Sequence, residues 1–369
     1  MPNTITWSNL EHIFTATGPV YFKGIVQTYF RESPFLALIQ QKGNIEKVSV
    51  SGPTVVQRLR YGGNTTVGWR STRGEVPIEE QSMLTTAAWN WGSLTGAVTF
   101  YDEDLHDNMG EAQLVDLVQV TLDQLADTIK NKIASAILQG TSGDPDPSAN
   151  EQVSARILGL KDAVTTGGGT STNPANIARP ATYGGLTDVD LGGQIAGLNQ
   201  GAWSAAIVAG TSQAADIPKN LRALVNRCTW GTVKPDFLLA PLEIYEAYES
   251  SMVNNIRYVT LNVGDTSFEG LAVRGIPLIF DRLMTGITSV PTGWSGSATE
   301  SSTTHRVYAI RAADWKWVFD PQWDMQNGLE PNWRIPEDGF RRTRLLCIRS
   351  QLICVNRTTQ GLLYGQGLA

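Results

Sequence analysis

The chain has 369 residues, a length typical of roughly two to three domains, and its 41% hydrophobic and 17% charged residues predict a globular protein with a large core. Its net charge of −6 at pH 7 argues against tight, sequence-independent binding of nucleic acid by the whole surface, because such binding needs clustered lysine and arginine. The best candidate for a membrane helix, residues 345–355, is too short and is interrupted by Arg349, so we expect a soluble protein.

The first predicted element, residues 1–52, is a mixed aromatic and apolar arm. It lacks a long, highly charged helical pattern. The first basic residue is Lys23, and no apolar signal-peptide core precedes it, so we expect no secretory signal.

Residues 53–105 predict a long β-hairpin with a charged tip. Residues 54–70 and 85–105 both alternate in strand fashion, and Trp89 and Trp91 share one face of the returning strand. A two-stranded hairpin is marginally stable alone and has no interior in which to bury two tryptophans. Two interpretations stay open: the hairpin packs on its own domain, or it is an arm laid across a neighbouring subunit.

A helix of unusual length is predicted from Asn108 to Gly140. Asn108 and Glu111 fit a capping box, and Gly140 is a typical helix stop. About 30 residues would span roughly 45 Å. The buried stripe is predicted from apolar residues at steps of three and four: Leu114, Val118, Leu122, Leu125, Ile129, Ile133 and Ile137.

The rest of the chain alternates between loops, short helices and strands. Residues 141–201 are rich in glycine, threonine, asparagine and proline, which predicts loops. Helices are expected at 214–227 and 242–252, and a second loop at 289–304. Strands are expected at 235–241, at 258–281 around a Gly-Asp turn, and through most of 305–355.

The sequence offers little that resembles an active site. The histidines His12, His106 and His305 are scattered, and no phosphate loop, nucleophile elbow, dinucleotide-binding or zinc-protease motif occurs. The odd set Cys228, Cys347 and Cys354 has no C-x-x-C pair, which favours buried, reduced thiols over a disulfide framework or zinc site. We therefore expect no catalytic residue, cofactor or metal. The acidic pairs in glycine-rich loops, Asp144 with Asp146 and Asp188 with Asp190, are more typical of solvated turns than of a cation site.

Three stretches, together with the order of elements, carry a resemblance to a known family. They are TYGGLTD at 182–188, PDFLLAPLEIYEAYES at 235–250 and FEGLAVRGIPLIFD at 268–281. The whole chain resembles the major capsid proteins of tailed double-stranded DNA bacteriophages, which implies an α+β capsid fold. The resemblance implies an N-terminal arm at 1–52, an E loop at 53–105, a spine helix of the peripheral domain at 106–140, an axial domain at 141–288 and returning peripheral strands at 289–369.

The resemblance implies a structural role rather than an enzyme. Pentamers and hexamers of the chain would form an icosahedral shell, assembled in the host cytoplasm and ending in the virion, that holds DNA by weak contact only. A portal protein and a decoration protein are implied partners, and a separate scaffolding protein is expected because residues 1–50 lack a charged scaffold segment. Extended arms enlarge contacts between subunits, with buried aromatic anchors and charges that set register. The expected interface residues are Trp69, Arg70, Arg73, Glu75, Glu79, Glu80, Trp89 and Trp91.

Two alternatives remain open from the sequence. An encapsulin-like compartment would share the fold and enclose no genome. A glycan-binding or hydrolysing enzyme would use a pair of carboxylates and some of the 11 tryptophans in an aromatic cleft.

Overall fold

The computed structural model describes residues 34–35, 39, 44–47, 52–60, 66, 69, 72, 74, 78, 84–101, 117–139, 156–165, 183–186, 194–195, 200–201, 203–252, 258–263, 266–281, 284, 305–323 and 341–368. The strands are β1 (Ile45–Lys47), β2 (Thr54–Arg60), β3 (Leu84–Asn90), β4 (Gly92–Tyr101), β5 (Gln194–Ile195), β6 (Gln200–Gly201), β7 (Ala206–Ala209), β8 (Phe237–Ala240), β9 (Tyr258–Val263), β10 (Thr266–Val273), β11 (Ile276–Phe280), β12 (His305–Ile310), β13 (Trp315–Phe319), β14 (Arg341–Cys354) and β15 (Gly361–Gln366). The α-helices are α1 (Leu117–Gln139), α2 (Leu160–Thr165), α3 (Ile217–Cys228) and α4 (Leu242–Ser251).

The first large sheet has four strands in the order β1-β13-β14-β4 and packs against α1. Gly96 of β4 lies directly beneath the helix, because a Cβ placed on it would stand 2.6 Å from Cδ1 of Leu125. Farther along α1, the side chains of Ile129, Ile133 and Ile137 are buried in the core. The spacing of four residues thus keeps one stripe of the helix on the sheet.

The second large sheet has seven strands in the order β7-β15-β12-β8-β11-β10-β9. Its central strand β8 is apolar on both faces. Phe237 and Leu239 belong to a core cluster shared with α1 and the four-stranded sheet, whereas Leu238 and Ala240 belong to a cluster shared with α3 and α4. A continuous apolar strand is what burial on both faces requires.

The chain passes between the two sheets at adjacent places, from β12 to β13 and from β14 to β15. The two connections are bonded to each other. Gln360 accepts hydrogen bonds through Oε1 from the backbone N–H of Arg311, at 3.0 Å, and from Nε1 of Trp315, at 3.1 Å. Asp314 binds Arg311 at 3.1 Å and accepts a hydrogen bond from the hydroxyl of Thr359. We call these connections, residues 311–314 and 355–360, the crossover junction.

Arg357 anchors the crossover junction from inside the protein, with only 1% of its surface exposed. Its guanidinium donates hydrogen bonds to the carbonyl oxygens of Ala163, at 2.6 Å, and Trp203. The same group lies over the rings of Tyr183 and Trp203, at 5.1 and 5.7 Å from their centres. Hydrogen bonds and aromatic faces together offset the cost of burying the charge.

Most elements predicted from the sequence are present where residues are described. The helix at 214–227 is α3 and the helix at 242–252 is α4, while the described part of the long helix begins at Leu117. Residues 108–116, including Leu114, lie outside the described part of the chain. No helix in the described ranges is long and apolar enough to cross a membrane.

The sheets divide the chain differently from the predicted domains. Residues 289–369 were expected to return to the domain of the long helix. Strands β13 and β14 do so, but β12 and β15 lie inside the seven-stranded sheet beside β8 and β7. The boundary predicted at residue 288 therefore does not separate the two sheets, because periodicity identifies a strand without identifying its neighbours.

We expect Arg357→Met to lower the free energy of unfolding by about 3–5 kcal/mol, since it leaves buried carbonyl oxygens without their donor. The matched control is Arg222→Met on α3, whose exposed guanidinium bonds only the carbonyl of Pro218 within the same helix. That change should cost no more than about 0.5 kcal/mol. Chemical unfolding of the two purified variants measures both free energies of unfolding. An equal decrease in the two variants would contradict a special role for Arg357.

Candidate assembly surface

The predicted hairpin exists as the antiparallel pair β2 and β3, with Val55 opposite Trp89 and Leu59 opposite Thr85. Successive side chains of β2 and β3 point to opposite sides, so the strand pair has one buried face and one exposed face. Val55, Leu59 and Trp89 point into the core, together with Ala87. The other face is exposed and carries Val56, Arg58, Arg60, Leu84, Thr86 and Ala88.

Trp89 and Trp91 lie in the core of their own subunit, with 2% and 6% of their surface exposed. Trp89 meets the ring of Tyr183 edge to face at 5.5 Å, and the guanidinium of Arg349 lies 5.0 Å from the ring centre of Trp91. Of the two interpretations left open by the sequence, packing on the hairpin's own domain is the one that the structure shows for both tryptophans. Trp89 lies on the buried face of β3, Trp91 follows the end of that strand, and the turn that contacts Trp89 comes from a distant part of the sequence.

Other side chains of the hairpin region are apolar and exposed. Trp69 and Ile78 are as accessible as in an extended peptide, at 107% and 95%, and Val56 and Leu84 are more than half exposed. Of six large hydrophobic side chains exposed in the described residues, these are four; the others are Tyr101 and Trp323. All four fall between residues 56 and 84 of the sequence, and exposed apolar area is typical of an interaction surface. We call Val56, Trp69, Ile78 and Leu84 the hairpin surface.

Of the predicted interface set, the described residues include Trp69, Trp89 and Trp91. Trp69 is exposed in the subunit, and its contact with a neighbouring subunit stays a prediction. Arg70, Arg73, Glu75, Glu79 and Glu80 lie outside the described residues, so their pairing across an interface stays a prediction. Ile78 was not singled out from the sequence, although its position between a proline and two glutamates in the charged tip is the signal that could have found it.

A shallow cavity lies on the face of the four-stranded sheet opposite α1, lined by Ser93, Thr95, Trp323, Cys347, Ile348 and Arg349. Its one charged group, Arg349, is paired with Asp320 at 3.4 Å. None of the described residues that line this cavity is a carboxylate, the group that glycoside hydrolysis uses in pairs.

Burial is the largest cause of the pKa shifts of Cys228, Cys354 and His305. Burial raises the pKa of the Cys228 thiol to about 12 and also raises the pKa of the Cys354 thiol, so both stay protonated at neutral pH. Burial lowers the pKa of His305, against the opposing charge of Glu243. No group of three or more potential metal ligands occurs in the described ranges, which do not include His12, His106, Asp144, Asp146, Asp188 or Asp190.

No protein-family model and no curated protein matches this sequence. Solved structures match it over nearly its whole length. The capsid of cyanophage A-1(L) has a TM-score of 0.60 at 13% identity, and the match covers 99% of each chain. The encapsulin complex from Synechococcus elongatus has a TM-score of 0.53 at 12% identity, covering 97% of this chain and 95% of that one. The capsid of a native GTA particle has a TM-score of 0.52 at 10% identity, covering 96% and 98%.

These matches establish the fold, because a shared arrangement of elements survives at sequence identities this low. The chain has the α+β fold of phage capsid and encapsulin subunits from end to end. The fold predicted from the family resemblance is confirmed.

The contrast between the two tryptophans of the hairpin region is testable on unassembled subunits. Trp89→Ala should lower the free energy of unfolding by about 3–5 kcal/mol, because it empties a packed core site. Trp69→Ala should change it by less than about 0.5 kcal/mol, because Trp69 is fully exposed in the subunit. Thermal or denaturant unfolding measures the free energy of unfolding of both variants. A comparable decrease in the two would contradict a buried Trp89 and an exposed Trp69.

Proposed function

We propose that this chain is the major capsid protein of a tailed phage, a structural subunit that assembles into the closed shell around the phage genome. The observation that carries the proposal is the match to a cyanophage capsid subunit over 99% of both chains. The matched protein is a capsid subunit, which supports a structural role for this chain. The role is structural, and we propose no catalytic residue.

The hairpin surface is the part of the chain that we assign to contact between subunits. Val55, Leu59 and Trp89 hold the β2–β3 pair in the core, so Val56 and Leu84 are presented on a supported strand pair. Arg58 and Arg60 share the exposed face with Val56. A mixture of apolar anchors and arginines is the composition found at energetically important interfaces. Contacts of this kind between unlike surfaces close into rings when the rotation between copies allows it.

The other partners follow from the proposed shell. Pentamers and hexamers would need a portal protein for DNA entry, a scaffolding protein to set curvature, and in some shells a decoration protein. A net charge of −6 favours weak, non-specific contact with packaged DNA over tight binding. Assembly would take place in the host cytoplasm, and the chain would reside in the virion.

An encapsulin-like compartment is the second candidate, favoured by the match to the encapsulin of Synechococcus elongatus. The two functions differ in what the shell contains. Particles purified from the source that carry nuclease-protected, genome-length DNA support the capsid, whereas particles that carry one abundant cargo protein and no genome support the compartment. For a glycan-active enzyme, the described lining of the cavity at Trp323 offers an aromatic ring without a carboxylate pair beside it.

The purified protein, alone or with a scaffold, should form closed shells or rings of five and six subunits in electron micrographs. Trp69→Ala should raise the concentration needed for assembly by roughly tenfold or more, since it removes an aromatic anchor. Trp323→Ala is the matched control, because Trp323 is a partly exposed tryptophan on the body of the subunit. A wild-type protein that stays monomeric at high concentration, both alone and with a scaffold, would overturn the proposal. An equal rise in the assembly concentration of Trp69→Ala and Trp323→Ala would contradict a special role of the hairpin surface.

The sequence also predicts how the shell is held together. Some relatives of the kind this chain resembles join an E-loop lysine to a neighbour's asparagine, a reaction that needs an amine on the loop. Between Lys47 and Lys130 this chain has no lysine. Subunits from mature particles should therefore run as single 40.1 kDa chains after boiling in detergent and reductant. A ladder of covalent multimers would contradict this and identify another cross-linking pair.

A further inference from the structure

The turn at Tyr183–Leu186 is a short segment with contacts to several otherwise separate parts of the subunit. Its ends are closed by two backbone hydrogen bonds between Tyr183 and Leu186, at 3.0 and 3.2 Å. Gly184 and Gly185 between them both have positive φ, of 63° and 77°, which glycine adopts without strain. The two glycines differ in their surroundings, and that difference indicates what the turn does.

On one side the turn touches the base of the hairpin. The carbonyl oxygen of Gly184 accepts a hydrogen bond from the backbone N–H of Ala88, at 2.9 Å, on the edge of β3 that does not face β2. Gly184 also lies against Trp89, so closely that a Cβ on it would stand 2.8 Å from the indole and 2.9 Å from Cβ of Ala87. A Cβ on Gly185 would meet nothing within 4 Å.

On the other side the turn is fixed to the body of the subunit through Tyr183, which is buried. Its hydroxyl accepts a hydrogen bond from the backbone N–H of Cys354, at 2.9 Å, where β14 enters the crossover junction. Its carbonyl oxygen accepts one from Nε1 of Trp203, at 3.1 Å, and Arg357 lies over its ring. The turn is thus tied to the junction that joins the two sheets.

We propose that this turn positions the hairpin, with Gly184 as the positioning residue that sets the direction in which β2 and β3 leave the subunit. A two-stranded ribbon has little stiffness of its own, so its direction depends on what holds its base. The backbone hydrogen bond from Ala88 to Gly184 fixes the edge of β3 against the turn. The close approach of Gly184 to Trp89 fixes the distance between the buried face of β3 and the turn. The consequence for assembly, that this direction decides where the hairpin surface meets a neighbouring copy, rests on the proposed shell function.

The test compares Gly184→Ala with Gly185→Ala in the full chain. Both variants place an alanine at positive φ and carry a similar backbone cost, but only the alanine at 184 collides with Trp89 and Ala87. Hydrogen exchange of peptides covering β2 and β3 is measured on unassembled subunits, and the same proteins are then assembled and imaged. We expect exchange in Gly184→Ala to be faster than in Gly185→Ala by roughly tenfold or more, the factor that corresponds to overpacking a close contact. Its shells should be irregular or absent, while Gly185→Ala forms regular shells.

Equal exchange of β2 and β3 in the two variants would overturn the proposal. Should Gly184→Ala not fold, Tyr183→Phe provides the second test, since it keeps the ring against Trp89 and removes only the acceptor for Cys354. Its expected result is faster exchange of β3, and wild-type exchange would overturn the positioning role. The exchange measurement does not require assembly. A wild-type chain that never assembles, but shows the expected exchange difference, would therefore sink the shell function and leave the positioning role intact.

Discussion

The structure depends on the hydrogen bonding of the crossover junction, where the chain leaves one sheet and enters the other. Backbone groups at such a place have no strand beside them, yet they are buried and need partners. Side chains provide those partners: Gln360 bonds the N–H of Arg311, and Arg357 bonds the carbonyl oxygens of Ala163 and Trp203. Because these bonds connect α2, the loop before β7 and both crossings, they fix the two sheets as one body with one shared core.

The described residues of the hairpin region combine a buried face with exposed apolar side chains. The buried face belongs to the core because Trp89 packs between its own strand and the turn at Tyr183–Leu186. Trp69 and Ile78 are exposed to solvent, which costs free energy in an isolated subunit unless a partner covers them. Rigid support at the base reduces the conformational entropy that such a partner contact must overcome.

Sequence reasoning succeeded where local spacing determines structure and failed where distant segments meet. The spacing of apolar residues in α1 correctly predicted that Ile129, Ile133 and Ile137 share one buried face. The apolar run at 235–241 predicted a buried strand, which the structure shows as β8. Alternation showed that Trp89 and Trp91 share a side, but it carries no information about what covers that side. The same limit applies to β12, whose pairing with β8 and β15 joins segments far apart in sequence. Arg357 and Gln360 belong to no element predicted from the sequence. Their burial depends on partners contributed by distant parts of the fold, which local spacing does not show.

A shell subunit with a stiff body and a small exposed contact surface has a physical advantage. The exposed apolar side chains of the hairpin region are few, so a single contact between two copies would be weak. Within a ring of the proposed shell, each copy would both present and receive a hairpin, and the later contacts would form within an existing assembly at a high effective concentration. Weak contacts can then be broken and remade until the ring closes, while the closed ring is stable because several contacts must fail together. This behaviour requires that every copy present its hairpin in the same direction, which a ribbon free to swing at its base would not do. Under the positioning role proposed for the turn at Tyr183–Leu186, its contacts with Trp89 and Ala88 would meet that requirement within the subunit, before any partner is present.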